Sequence, residues 1–181
     1  MGELVHLDIK KLGRFWHVGK AVLKDGKHRS EGAGWSYAHA AIDDHSRHAM
    51  VELRASEQAL DCVAFTRRVI NAYSERGTPI QRILTDNGGG YCSHAFRDLL
   101  ADHGIRHIRT RPYTPRTNGK AEAFIRILQR EWAYGLVYPT SNHRARALPG
   151  WLRWYNNHRP HGGIGGQPPI TRISHAAGSY T

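Results

Sequence analysis

Three acidic residues stand where a carboxylate is costly without a partner. Asp8 interrupts the apolar run Val5, Leu7, Ile9, and Asp86 follows Ile83-Leu84. Glu122 lies at the edge of a helical stripe formed by Ala121, Phe124, Ile125, Leu128 and Trp132. Burying a carboxylate requires a cation or several hydrogen-bond donors. Two aspartates at strand ends and a glutamate at a helix edge offer hard oxygen ligands for Mg²⁺ or Mn²⁺. Two such ions about 3.5–4 Å apart suit in-line phosphodiester chemistry, one activating the attacking oxygen and the other stabilising the leaving oxygen. Each residue alone also has an ordinary reading. Asp8 and Asp86 serve as strand-end turn residues, Asp86 especially within Asp-Asn-Gly, and Glu122 as a solvated helix residue. The combination is what points to chemistry, because clustered carboxylates repel unless a cation joins them.

Periodicity and turn residues define the elements that must position these groups. A short strand is expected over 3–9, then a Gly-rich basic loop or loose hairpin over 10–34 with room for a strand at 15–23. Strands at 35–42 and 48–53 flank a turn at 43–47. Asp43 and Asp44 there form a rival carboxylate pair, read as caps of that turn. A helix over 57–76 carries Leu60, Val63, the Arg67 stem, Ile70 and Tyr73 on one stripe and stops at Gly77-Thr78-Pro79. A strand follows at 81–85, then a helix capped by Ser93 and ended by Gly104. A fifth strand spans 105–109, and helices span 118–134 and 144–157, with Trp132, Trp151, Trp154 and Tyr155 as packing residues. The order β, β, β, α, β, α, β, α, α predicts an α/β fold with a mixed five-stranded sheet flanked by helices. Residues 1–160 read as one domain and 161–181 as an extended Gly/Pro-rich tail.

The 181-residue chain has 26 Lys+Arg against 15 Asp+Glu, a formal charge of +11. That balance predicts a polyanionic partner, nucleic acid rather than a membrane surface. No apolar run approaches the roughly 18–20 residues of a membrane span. Two cysteines make no disulfide framework, so a reducing cytoplasm, beside the nucleoid, is the expected location. The 13 histidines include no pairing with cysteine at zinc-finger spacing. Seven basic residues (Arg106, Arg109, Arg111, Arg116, Lys120, Arg126, Arg130) face Glu122 alone between 106 and 130, which predicts a phosphate-binding surface. Lys10 and Lys11 open a second basic surface beside Asp8. Asn118 is either a DNA contact or a helix cap, and Asn87 either orients a metal-bound water or shapes a turn.

Five segments together carry a resemblance. HLDIKKLG at 6–13, AIDDHSR at 41–47, LTDNGGGYCSHAF at 84–96, RPYTPRTNGKAEAF at 111–124 and WYNNHRPHGGIGGQPP at 154–169 resemble bacterial insertion-sequence transposases with a retroviral-integrase-like core. The 35 residues between Asp86 and Glu122 match the spacing of that superfamily's Asp, Asp, Glu triad. The resemblance implies a ribonuclease-H-like fold, with Asp8, Asp86 and Glu122 as both catalytic residues and ligands of two Mg²⁺ ions, Mn²⁺ being an alternative. It implies nicking of double-stranded DNA at element ends and transfer to target DNA by the freed 3′-hydroxyl, with no covalent protein–DNA intermediate. It further implies a homo-oligomer on DNA, with contacts from Lys10, Lys11, Arg111, Arg116, Asn118, Lys120 and Arg126. Relatives usually carry a helix-turn-helix region upstream, and Asp8 stands too near the first residue for one here. Ala123 and Ile125 replace an Arg and an Asn expected to face DNA or the active site. A ribonuclease-H-like nuclease, or an inactive DNA-binding remnant of a truncated transposase, are the competing readings.

Overall fold

The computed structural model describes residues 1–18, 33–110 and 118–173. Its five strands are β1 (Val5–Gly13), β2 (Trp35–Asp43), β3 (Ala49–Arg54), β4 (Arg82–Thr85) and β5 (Arg106–Arg109). They form one mixed sheet in the order β3-β2-β1-β4-β5. The β1, β2 and β3 strands pair antiparallel, whereas β4 joins β1, and β5 joins β4, in parallel. Helices α1 (Ala59–Glu75) and α2 (His94–Asp102) cover one face. Helix α3 (Gly119–Leu128), its continuation as a π turn over Gln129–Ala133, and α4 (Ser141–Asn157) cover the other.

Strand alternation sorts the two cores. Val5, Leu7 and Ala41 pack with Phe65, Val69 and Phe96 beneath α1 and α2. Leu12, Ala38, Ala40 and Ile42 pack with Phe124, Leu128, Trp132 and Tyr155 beneath α3 and α4. The small alanines of β2 leave room for the large aromatic side chains opposite. His6 and Asp8 share the α3 face with Leu12, as shown by their pairing with Ile42 and Ala40. That parity decides which helix Asp8 can meet.

The expected β, β, β, α, β, α, β, α, α order is the observed one, with four local differences. β1 runs to Gly13 rather than ending at residue 9, because Leu12 is buried and the pairing continues to Gly13 opposite Trp35. Lys10 and Lys11 therefore sit in a strand, not a loop. Residues 15–18 of the expected 15–23 strand are not in the sheet, and 19–23 lie outside the described residues. In α1 the buried face is Cys62, Phe65, Thr66, Val69, Ile70 and Tyr73. Leu60 is instead 83% exposed and Arg67 points outward; the i, i+3, i+4, i+7 set begins two residues later than the sequence stripe. Finally, the chain after α4 is not extended as far as residue 173. Two 3₁₀ turns, Gly162–Ile164 and Pro169–Arg172, bury Ile164 and Pro169. Gly165 and Gly166, both at positive φ, return it so that His161 bridges Gln167.

Candidate active site

The parallel register of β1 and β4 sets Val5 opposite Ile83 and His6 opposite Leu84. Two residues further along that register, Asp86 leaves β4 beside Asp8. Asp8 is partly buried, and Asp86 is exposed at the start of the following turn. Glu122 is exposed on the first turn of α3, which packs on the same face of β1. Burial pushes the Asp8 carboxyl up to about 6 against the lowering effect of the Ile9 amide, and the charges of Asp86 and Glu122 raise it further. Asp8 therefore feels the charges of both other carboxylates. Among the described residues, however, no three His, Cys, Asp or Glu side chains are gathered as a ready-formed metal centre.

Local backbone leaves both aspartates short of donors. Asp8 Oδ1 accepts the Ile9 amide at 2.8 Å, and Asp86 Oδ1 accepts the Gly88 amide at 2.9 Å. A Cβ at Gly88 would lie 3.0 Å from that Asp86 oxygen, so glycine permits the close approach. Gly90 fits against the start of α1, where a Cβ would collide with Cys62 Sγ and the Glu57 carbonyl. Between these pieces lies a cleft of about 460 Å³ lined by Ile9, Gln58, Cys62, Asp86 and Tyr91 among others. The buried Tyr91 hydroxyl has no hydrogen-bond partner, and burial holds it well above the ordinary tyrosine range. Its closeness to Asp8 and Asp86 leaves no trace in the sequence.

Other residues singled out from the sequence fall into distinct places. Asn87 donates to the Thr110 carbonyl at 2.9 Å and so ties the Asp86 turn to the end of β5. Asp43 does cap the hairpin turn, accepting from Ser46 N and Oγ at 2.7 Å each. Asp44 does something else. It lies 2.8 Å from His6 Nε2 and 2.5 Å from Lys120 Nζ. Burial would raise its carboxyl, but hydrogen bonds from Lys120 and His6 prevail and hold it below the usual range.

Asn118 turns its side chain onto β1. It is 5% exposed, makes no side-chain cap, and spends its amide on His6 Nδ1 at 3.1 Å and the Leu7 carbonyl at 3.4 Å. Ile125 is buried in the core beneath α3. Lys11 is exposed over the Trp35 ring, Lys10 half-buried beside Asp8, and Arg126 exposed on α3. Arg111 and Arg116 lie outside the described residues. Arg130 pairs with Glu131, which also holds Arg159.

Integrase core domain models match residues 17–115 and 103–169. The chain belongs to the integrase core domain family. The IS476 insertion-element protein of Xanthomonas euvesicatoria is 32% identical over 128 residues, 71% of this chain and 36% of that protein. This integrase core spans between 7% and 36% of the length of the first curated relatives it matches. Among solved structures, the catalytic core domain of BIV integrase aligns with TM-score 0.63 at 20% identity, covering 94% of this chain and 93% of that one. A simian T-cell lymphotropic virus intasome chain aligns with TM-score 0.66 at 18% identity, covering 99% and 56%. The mixed sheet with its flanking helices is thus the ribonuclease-H-like fold. Among the described residues no helix is long and apolar enough to cross a membrane.

Proposed function

We propose that this integrase core is the catalytic part of an insertion-sequence transposase, which cleaves DNA at element ends and joins the freed 3′-hydroxyl to a target. The reading is supported by the β1–β4 register beside Asp8 and Asp86 and by the charge that Asp86 and Glu122 exert on Asp8. Neighbouring parallel strands bring the first two together, and Asp8 feels the charge of Glu122 from the helix above. These three residues would hold Mg²⁺ or Mn²⁺, as two ions. The donor set fits a hard cation: it is all carboxylate oxygen, and Asp8 is held in a state that a neighbouring positive charge would relieve. When bound, the ions supply activation of the attacking oxygen and stabilisation of the leaving oxygen.

The rest of the mechanism belongs to the protein. The Gly88 amide holds the Asp86 carboxylate at the rim of the cleft, and the Ile9 amide holds that of Asp8. Lys10, Lys11 and Arg126 offer positive charge to the phosphate backbone, with Arg111 and Arg116 in the segment leading to α3. Double-stranded element ends and target DNA are the substrates, and a homo-oligomer on DNA would bring two ends together in the nucleoid. The likeness to an insertion-element protein supports transposition over other uses of this fold.

The test is incubation with labelled element-end duplex and Mg²⁺ or Mn²⁺, alongside Asp8→Asn, Asp86→Asn and Glu122→Gln. Nicked and joined products should fall by about 10³-fold or more in each variant. Hydrolysis without joining would make the chain a nuclease instead. DNA binding with no cleavage in either metal would make it a remnant.

A further inference from the structure

We infer that Asp44 is a positioning residue for Glu122, acting through His6, Asn118 and Lys120. The inference rests on the transferase reading above. A single oxygen, Asp44 Oδ1, meets both His6 Nε2 at 2.8 Å and Lys120 Nζ at 2.5 Å. His6 stands two residues before Asp8, and Lys120 two residues before Glu122. The hairpin turn therefore ties together the strand that carries one carboxylate and the helix that carries another.

A second tether runs alongside. Asn118 Oδ1 faces His6 Nδ1 at 3.1 Å, and Asn118 Nδ2 donates to the Leu7 carbonyl, the residue adjoining Asp8, at 3.4 Å. A helix N-terminus is usually fixed by a side-chain cap. Asn118 supplies none to α3, because its amide is used laterally on β1. The direction of the first turn, and so of Glu122, is set by these cross-links.

The anchor is stiff at its far end. The Asp44 amide donates to the Leu4 carbonyl at 2.9 Å, and the Asp44 carbonyl accepts from the Arg47 guanidinium. The body of α3 has an independent hold on the sheet through Ala121, Phe124, Ile125 and Leu128. Loss of the Asp44 contacts should thus loosen the first turn while the fold persists. Catalysis is sensitive to that: misplacing a reacting group by about 1 Å can cost about 100-fold.

Asp44→Asn keeps the shape of the side chain and removes its charge. Amide hydrogen exchange across 118–123 should quicken about tenfold, with exchange in α1 and α2 unchanged. The Mn²⁺ binding midpoint, read from free Mn²⁺ by electron paramagnetic resonance, should rise several-fold. Single-turnover cleavage of end duplex should slow about 10- to 100-fold. The DNA Kd should not weaken, since Lys120 is released. Unchanged exchange at 118–123 and an unchanged Mn²⁺ midpoint would overturn the inference. If Asp44→Asn fails to fold, His6→Gln and Lys120→Met provide the exchange and Mn²⁺ readouts with the same expected directions. Asp86→Asn runs in parallel: full activity there sinks the transferase reading itself. An inactive Asp86→Asn beside an Asp44→Asn of wild-type rate and exchange sinks only the positioning role.

Discussion

The hairpin end of the sheet and its parallel half both carry aspartates, and treat them in opposite ways. Asp43, 1% exposed, accepts from four donors: Gly2 N at 2.8 Å, His45 N at 3.2 Å, and Ser46 N and Oγ at 2.7 Å. Among the described residues, Asp8 and Asp86 each accept from a single backbone amide. A carboxylate has about four lone-pair sites. Three of the Asp43 donors share Oδ1 and Gly2 takes Oδ2, so Asp43 is largely satisfied within its own turn and serves the fold. Asp8 and Asp86 keep most of theirs, open to a cation, substrate-side donors or water. The number of donors around a carboxylate, rather than its burial alone, separates the structural acid from the chemical one.

The sharpest way to break this contrast is Asp43→Ala. It strips partners from the Gly2, His45 and Ser46 amides in a buried turn. We expect a loss of about 3 kcal/mol in urea unfolding. A loss under about 1 kcal/mol would mean that the four hydrogen bonds are not what holds the turn.

Asp8→Asn should have the opposite sign. Folding raises the Asp8 carboxyl from 3.8 to about 6, so between those values the native state binds more protons than the unfolded chain. Stability contributed by this group falls as pH rises through that window, and the full penalty applies above about 6. Asparagine removes the penalty. In EDTA at pH 7.5 the variant should be more stable by about 1–2 kcal/mol, and the gain should vanish by about pH 4. His48 and His161 titrate nearby: burial pushes both down to about 4, so they withdraw stability as pH falls from 6.5 toward that value. That loss is common to both proteins and cancels in the difference. A variant less stable than wild type at pH 7.5 would contradict the burial of a charged Asp8.

Much of this arrangement is legible in the sequence for physical reasons. Asp8 and Asp86 stand out because a charge interrupts apolar strand residues, and Ser93 and Gly104 punctuate α2 as their chemistry requires. What escapes detection depends on partners far along the chain. Asp43 and Asp44 are neighbours of identical type, yet only the fold shows that one bonds its own turn and the other reaches Lys120, 76 residues away. Asn118 precedes a helix and so resembles a cap, but His6 and Leu7 compete for its amide and win. The α1 face is misjudged because Leu60 is apolar, although nothing packs over it, whereas Cys62 and Thr66 carry polar atoms yet face the core.

The smallest expected effect is the most discriminating. Asp86→Asn should change stability by no more than about 0.5 kcal/mol, because the side chain is exposed and an amide oxygen can still accept from Gly88. Mg²⁺ should raise the melting temperature of wild type, since a ligand that binds only the native state stabilises it, and should do so far less for this variant. Thermal scans with and without Mg²⁺ read both quantities on one sample. The same residue type would then govern folding at position 43 and ion binding at position 86, with donor count as the variable that differs. If Asp86→Asn proves as destabilising as Asp43→Ala, the Asp-Asn-Gly turn is structural after all, and the separation between the two ends of the sheet collapses.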